Sequence, residues 1–170
     1  MHEWGLPCVS TRPGLLGTPE ATLVLSCLRR MQDPRDTVAT AFIVSHTGSV
    51  PPQAWLDDRL RHLHGGGAPA AWKAQGGDAN PLVVRLELLR SRLSALTPLE
   101  ALCLAKAESD VWRAAAHWSL NPKEAAARAA NVEALVLMAV TYEDECRSSK
   151  RGPRRWRDCS SGSQTRQPPS

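Results

Sequence analysis

The chain has 170 residues, 42% of them apolar, with six Trp against one Tyr and one Phe and a formal net charge of +4. That apolar content excludes a wholly disordered protein, and the length suits one domain or a small domain with appendages. No apolar run approaches the roughly 18 residues that span a bilayer, so no membrane partner is expected.

The start, Met-His-Glu-Trp-Gly, lacks the basic segment and apolar run of a secretory leader. Five cysteines (Cys8, Cys27, Cys103, Cys146, Cys159) are scattered, and no two have C-x-x-C spacing. Zinc ligation needs thiolates presented together. The expectation is a cytoplasmic chain with free thiols, no metal and no cofactor.

Residues 1–17, with Pro7, Pro13, Gly14 and Gly17, read as an irregular lead-in whose Trp4 and Leu6 pack back on the body. Thr18-Pro19-Glu20 is a helix start, a capping hydroxyl followed by Pro at the first helical position. Leu23, Val24, Cys27, Leu28 and Met31 continue at helical spacing and predict a helix over about 19–32. Thr37–His46 is rich in β-branched residues. However, Val38, Ala41, Phe42 and Ser45 keep helical spacing and no segment offers a strand partner, so it reads as a helix ended by Gly48. Gln53–His64 follows, with Trp55, Leu56, Leu60 and Leu63 on one face.

Gly65-Gly66-Gly67 stops that helix. Residues 65–79, rich in Gly, Ala and Pro with Trp72 as the one large anchor, read as a linker between an N-terminal helical section (1–64) and a second domain (80–146). Asn80-Pro81 opens the next helix. Leu82, Leu86, Leu89, Leu93 and Leu96 form a narrow seam about four turns long. The seam packs within the monomer or against a second copy as a homodimer; two heptads are too few for a coiled coil, which favours internal packing.

Thr97-Pro98-Leu99-Glu100 is a capping box. A short helix follows, then Asp110–Trp118 with Ala115 as the small residue at a helix contact and Trp112 and Trp118 read as core. Ser119-Leu120-Asn121 interrupts, with Leu120 pointing inward, and Pro122 opens a long final helix with inward Ala125 and Ala129 that runs to about Glu145. Glu143-Asp144-Glu145 places acid at its C-terminal end, against the helix dipole.

Segment 96–140 resembles sigma-factor region 4 and related helix-turn-helix units. In these a Leu-Thr-Pro-x-Glu helix precedes a turn and a helix that enters the major groove. Ser119 stands where that family usually has Gly. The resemblance implies an all-α helical bundle with a C-terminal helix-turn-helix, and double-stranded DNA as partner. Asn121, Lys123, Arg128 and Asn131 would then lie on the reading surface, among the outward residues Lys123, Glu124, Ala126, Ala127, Arg128, Ala130 and Asn131.

From Arg147 to the end there are seven bases and one acid, or +6, which leaves 14 bases and 16 acids, or −2, for residues 1–146. Segment 147–170 therefore reads as a disordered basic tail. Its Lys150, Arg151, Arg154, Arg155 and Arg157 suit phosphate contact with little sequence preference.

The whole plan is similar to phage antitermination proteins of the Q type, which implies action on RNA polymerase at a late promoter. The alternative is a protein-interaction module that docks on a partner such as RNA polymerase without specific DNA readout. Asp57-Asp58 reads as solvated charge facing Arg59 and Arg61, His46 as a helix-terminal cation, and His62-x-His64 as a helix end. No nucleophile–base constellation is readable, so a non-enzymatic protein is expected.

Overall fold

The computed structural model describes residues 14–48 and 51–148, and among these the regular structure is entirely helical. Seven α-helices run in chain order: α1 (Pro19–Gln32), α2 (Thr37–Thr47), α3 (Pro52–His64), α4 (Pro81–Leu89), α5 (Pro98–Glu108), α6 (Val111–Trp118) and α7 (Pro122–Ser148). Short 3-10 segments, Leu15–Gly17 and Arg90–Ala95, precede α1 and follow α4.

Side-chain caps set helix starts at Thr18, Asn80 and Thr97, as the sequence suggested, and at Asp36, which it had not marked. The Thr18 hydroxyl accepts from the Ala21 amide, the Asp36 carboxylate from Ala39, and the Asn80 side chain from Leu82 and Val83. Thr97 and Glu100 form the full capping box, with the Thr97 amide donating to the Glu100 carboxylate at 2.8 Å. Each such contact satisfies an amide that the helix geometry orphans.

Helix α1 is the centre of the body, packing on α2, α4, α5, α6 and α7. Its apolar residues Leu23, Val24, Cys27 and Met31 are fully enclosed and share one core with Leu86 of α4, Ala101 and Ala105 of α5, Val111 of α6 and Val132 of α7. This single core spans both sides of residues 65–79, so the sections on either side are joined by packing as well as by chain.

The segment 65–79 is itself seated: Trp72 and Ala74 are buried with Ala41 and Trp55, and the Trp72 Nε1–H donates to Asp58 at 2.9 Å. Gly77 is a close approach, since a Cβ there would meet the Thr40 side chain of α2 at 2.7 Å. Composition suggested a loose connection, but one large aromatic ring with a carboxylate for its N–H is enough to dock it.

Three further expectations are corrected. The leucine seam is not one four-turn helix, because α4 ends at Leu89 and tightens into the 3-10 segment. Its leucines still pack inward, with Leu82, Leu86 and Leu93 buried against α1 and Leu89 and Leu96 half-buried. Helix α3 buries no residue, and Leu56 and Leu60 of its expected apolar face are exposed.

His46 stands in the last turn of α2 as expected, but burial disfavours its cationic form. Its ring lies between those of Phe42 and Trp118, the Nδ1–H donates to the Phe42 carbonyl at 2.7 Å, and burial lowers its pKa. Asp58 pairs with Arg61 as expected of a solvated charge, although its second oxygen is taken by Trp72.

Candidate nucleic-acid interface

The C-terminal unit is built by α5, α6 and α7. Between α5 and α6 the chain turns through Asp110, whose φ of 47° makes it the one non-glycine residue with positive φ among the described residues. Between α6 and α7, Ser119 is extended (φ −88°, ψ 135°), and its hydroxyl donates to the Ala115 carbonyl at 2.6 Å. The left-handed conformation that favours Gly is thus not used in that turn, and Ser fits without strain.

Ala115 is buried as expected of a contact residue. Leu120, expected to point inward, is 92% exposed, because the extended turn swings its side chain away from the core. Trp112, expected in the core, lies on the outer side of α6 and is 40% exposed, with the Lys106 ammonium 5.6 Å from its ring centroid.

The four expected reading residues divide. Asn121 is exposed, and its side-chain oxygen accepts from the Glu124 amide at 2.9 Å, so it caps α7. The Leu120 amide, followed by Arg128, holds the Glu124 carboxyl below its ordinary pKa. Lys123 is exposed beside the cap.

Arg128 and Asn131 turn the other way. Arg128 Nη1 donates to the Glu20 carboxylate at 3.1 Å and Nη2 to Glu124 at 2.7 Å, while Asn131 Nδ2 donates to the other Glu20 oxygen at 2.6 Å. Glu20 is 1% exposed in the first turn of α1. A buried carboxylate needs this many donors, and the N-terminal end of α1 adds a favourable dipole. Both residues are therefore half-buried toward α1 instead of outward. The outer strip of α7 is left to Lys123, Ala126, Ala127 and Ala130.

A second carboxylate does similar work at the far end of α7. Glu143 is 3% exposed; it accepts from the Leu99 amide in the first turn of α5 at 2.8 Å and from Arg147 at 2.9 Å. The sequence placed this acid against the dipole of its own helix. Folding aims it instead at the positive end of α5, and Arg147 offsets the remaining charge. Position alone, without the approach of α5 to α7, held no signal for this.

Lys150, Arg151, Arg154, Arg155 and Arg157 lie outside the described residues. Among the described residues there is no cluster of three His, Cys, Asp or Glu that could hold a metal ion. No described helix is long and apolar enough to cross a membrane. Cys27 is a free thiol that burial pushes up to about 12, Cys103 is free and half-buried, and Cys146 is half-buried. No protein-family model matches the chain, and no curated protein or solved structure matches it.

Proposed function

We propose that the protein is a DNA-binding transcription regulator, and that it belongs functionally with the phage late-gene antiterminators that act on RNA polymerase. The observation that supports this reading is the solvent-facing start of α7. There Asn121 caps the helix, Lys123 stands exposed, and Ala126, Ala127 and Ala130 present a smooth outer strip. A helix with small outward side chains can approach a groove closely, and a lysine at its start can contact phosphate. The basic run 147–157 adds charge attracted to the same polyanion.

The test is capture of genomic fragments by the full chain, followed by sequencing and by anisotropy titration of an enriched duplex. Enrichment of a site near a promoter, with affinity falling steeply as salt rises, supports the reading. No enrichment and no duplex binding even at about 50 mM salt would end it.

A second reading, docking on a protein such as RNA polymerase without base readout, is favoured by one observation: Arg128 and Asn131 are engaged by Glu20. It predicts polymerase retention in a pull-down, together with weak duplex binding that truncation after Cys146 abolishes.

A further inference from the structure

We infer that the outer face of α6, rather than Arg128 and Asn131 of α7, is the surface that holds the phosphodiester backbone of duplex DNA. This inference rests on the DNA-binding reading above and gives it a location. Helix α6 buries Val111 and Ala115 and turns Trp112, Arg113, Ala116 and His117 outward. At 3.6 residues per turn Arg113 and His117 lie about 40° apart around the helix, as do Trp112 and Ala116, so the four share one face.

Lys106 of α5 reaches this face over the Trp112 ring, and Leu120 and Lys123 are exposed beyond the turn that follows. Among the described residues, Lys106, Arg113 and Lys123 take part in no ion pair, and neither do Arg59, which donates to Thr37, and Arg90 and Arg92 of the 3-10 segment after α4. By contrast Arg29, Arg30, Arg61, Lys73, Arg85, Arg128 and Arg147 each face a carboxylate. Asp110 is exposed at the N-terminal end of α6, and Glu124 is already held by Arg128 and the Leu120 amide.

Lys106 and Arg113, both without an ion pair, stand beside the exposed Trp112 ring, and in a body of net charge −2 over residues 1–146 they give this face a local positive potential. A phosphate row is the partner that suits them: guanidinium and ammonium groups neutralise phosphates and release counterions without reading sequence. The indole of Trp112, held by Lys106, and the apolar Leu120 supply flat contact area beside those charges. With Arg128 and Asn131 turned inward, binding through this face is tolerant of sequence.

The experiment is fluorescence anisotropy of a labelled random-sequence duplex of about 30 base pairs titrated with the full-length chain at several salt concentrations. Arg113→Ala is expected to flatten the slope of log K against log salt by about 0.9, the value of one phosphate contact, and to weaken binding several-fold. Arg113→Glu is expected to weaken it more than about tenfold by repelling the same phosphate. Lys73→Ala, which removes an exposed lysine paired with Asp78, serves as the control and is expected to leave affinity unchanged.

Arg113 is exposed, so circular dichroism and the melting temperature should stay at wild-type values and confirm an intact fold. If the wild type binds and Arg113→Glu and Lys106→Ala bind with the same affinity and slope, the α6 face is not the contact and the inference fails alone. If the wild type does not bind duplex at all, the DNA-binding reading fails with it.

Discussion

Glu20 and Arg128 are 108 positions apart in the sequence and meet at 3.1 Å, with the carboxylate 1% exposed and the guanidinium 20% exposed. The pair ties the start of α7 to the start of α1, and Asn131 takes the second carboxylate oxygen at 2.6 Å. Glu20→Ala would leave Arg128 with Glu124 alone and is expected to cost about 2–3 kcal/mol, below the figure for a fully buried pair because Arg128 is partly solvated. A urea denaturation series measures it, and a double-mutant cycle with Arg128→Ala should return a coupling of about 1 kcal/mol. A loss under about 0.5 kcal/mol for Glu20→Ala would show that the pair does not hold the helices.

The same relationship separates two lysine-and-arginine variants. Arg128→Ala is expected to lower the melting temperature and leave duplex affinity nearly intact, because its donors face α1. Lys123→Ala is expected to do the reverse, lowering affinity with no change in melting. Calorimetry and anisotropy on the two proteins check this, and the opposite pattern would put Arg128 back on the DNA.

Glu143 carries the other junction. Glu143→Ala removes the acceptor of the Leu99 amide while the Thr97–Glu100 box remains, so α5 should stay helical and the α5–α7 contact should loosen. The expected cost is about 1.5–3 kcal/mol, that of a hydrogen bond to a charged group. Hydrogen exchange at the Leu99 amide should rise with it, and unchanged exchange would mean that another group serves as the acceptor.

His46 makes stability depend on acid. Burial lowers its pKa in the folded chain from the ordinary 6.5, so below that value the unfolded state binds a proton that the folded state refuses. Stability is therefore expected to fall as pH drops below about 6.5, through the range down to the lowered folded pKa. His46→Phe, which keeps a ring against Trp118, should flatten that part of the profile. Thermal melts of both proteins between about pH 7 and pH 5 measure the difference.

Cys27 acts at the alkaline end. Its thiol is raised from 9.0 to about 12 by burial, so the folded chain keeps a proton that the unfolded chain loses. The contribution is fully present below 9.0 and declines as pH rises from 9.0 towards about 12. Alkylation of the native protein near pH 8 is expected to spare Cys27, with labelling only after unfolding. Rapid native labelling of Cys27, read by mass spectrometry, would contradict the burial.

Helix starts were legible because a cap is local chemistry. Thr18-Pro19, Asn80-Pro81, Thr97-Pro98-Leu99-Glu100 and Asn121-Pro122 each satisfy amides within three or four residues of themselves. The apolar seam Leu82–Leu96 followed from its period, although the choice between internal packing and a second copy, and the change to a 3-10 segment after Leu89, did not. The candidate interface was legible only in part. Asn121 and Lys123 stand at the exposed start of α7, whereas a polar residue such as Arg128 or Asn131 carries no mark of which face it will occupy on an alanine-rich helix.

The sequence by itself determined that the described chain is helical, where most of its helices begin, and which residues of α1 and α4 are apolar enough to form a core. Only the tertiary structure decided that Glu20 and Glu143, both acids on helices, would be buried as receptors for distant donors. It also decided that Leu120 and Trp112 would face solvent. The reason is physical: capping and periodicity act over one turn of chain, whereas the fate of a charge or a ring depends on what arrives opposite it from 44 or 108 residues away.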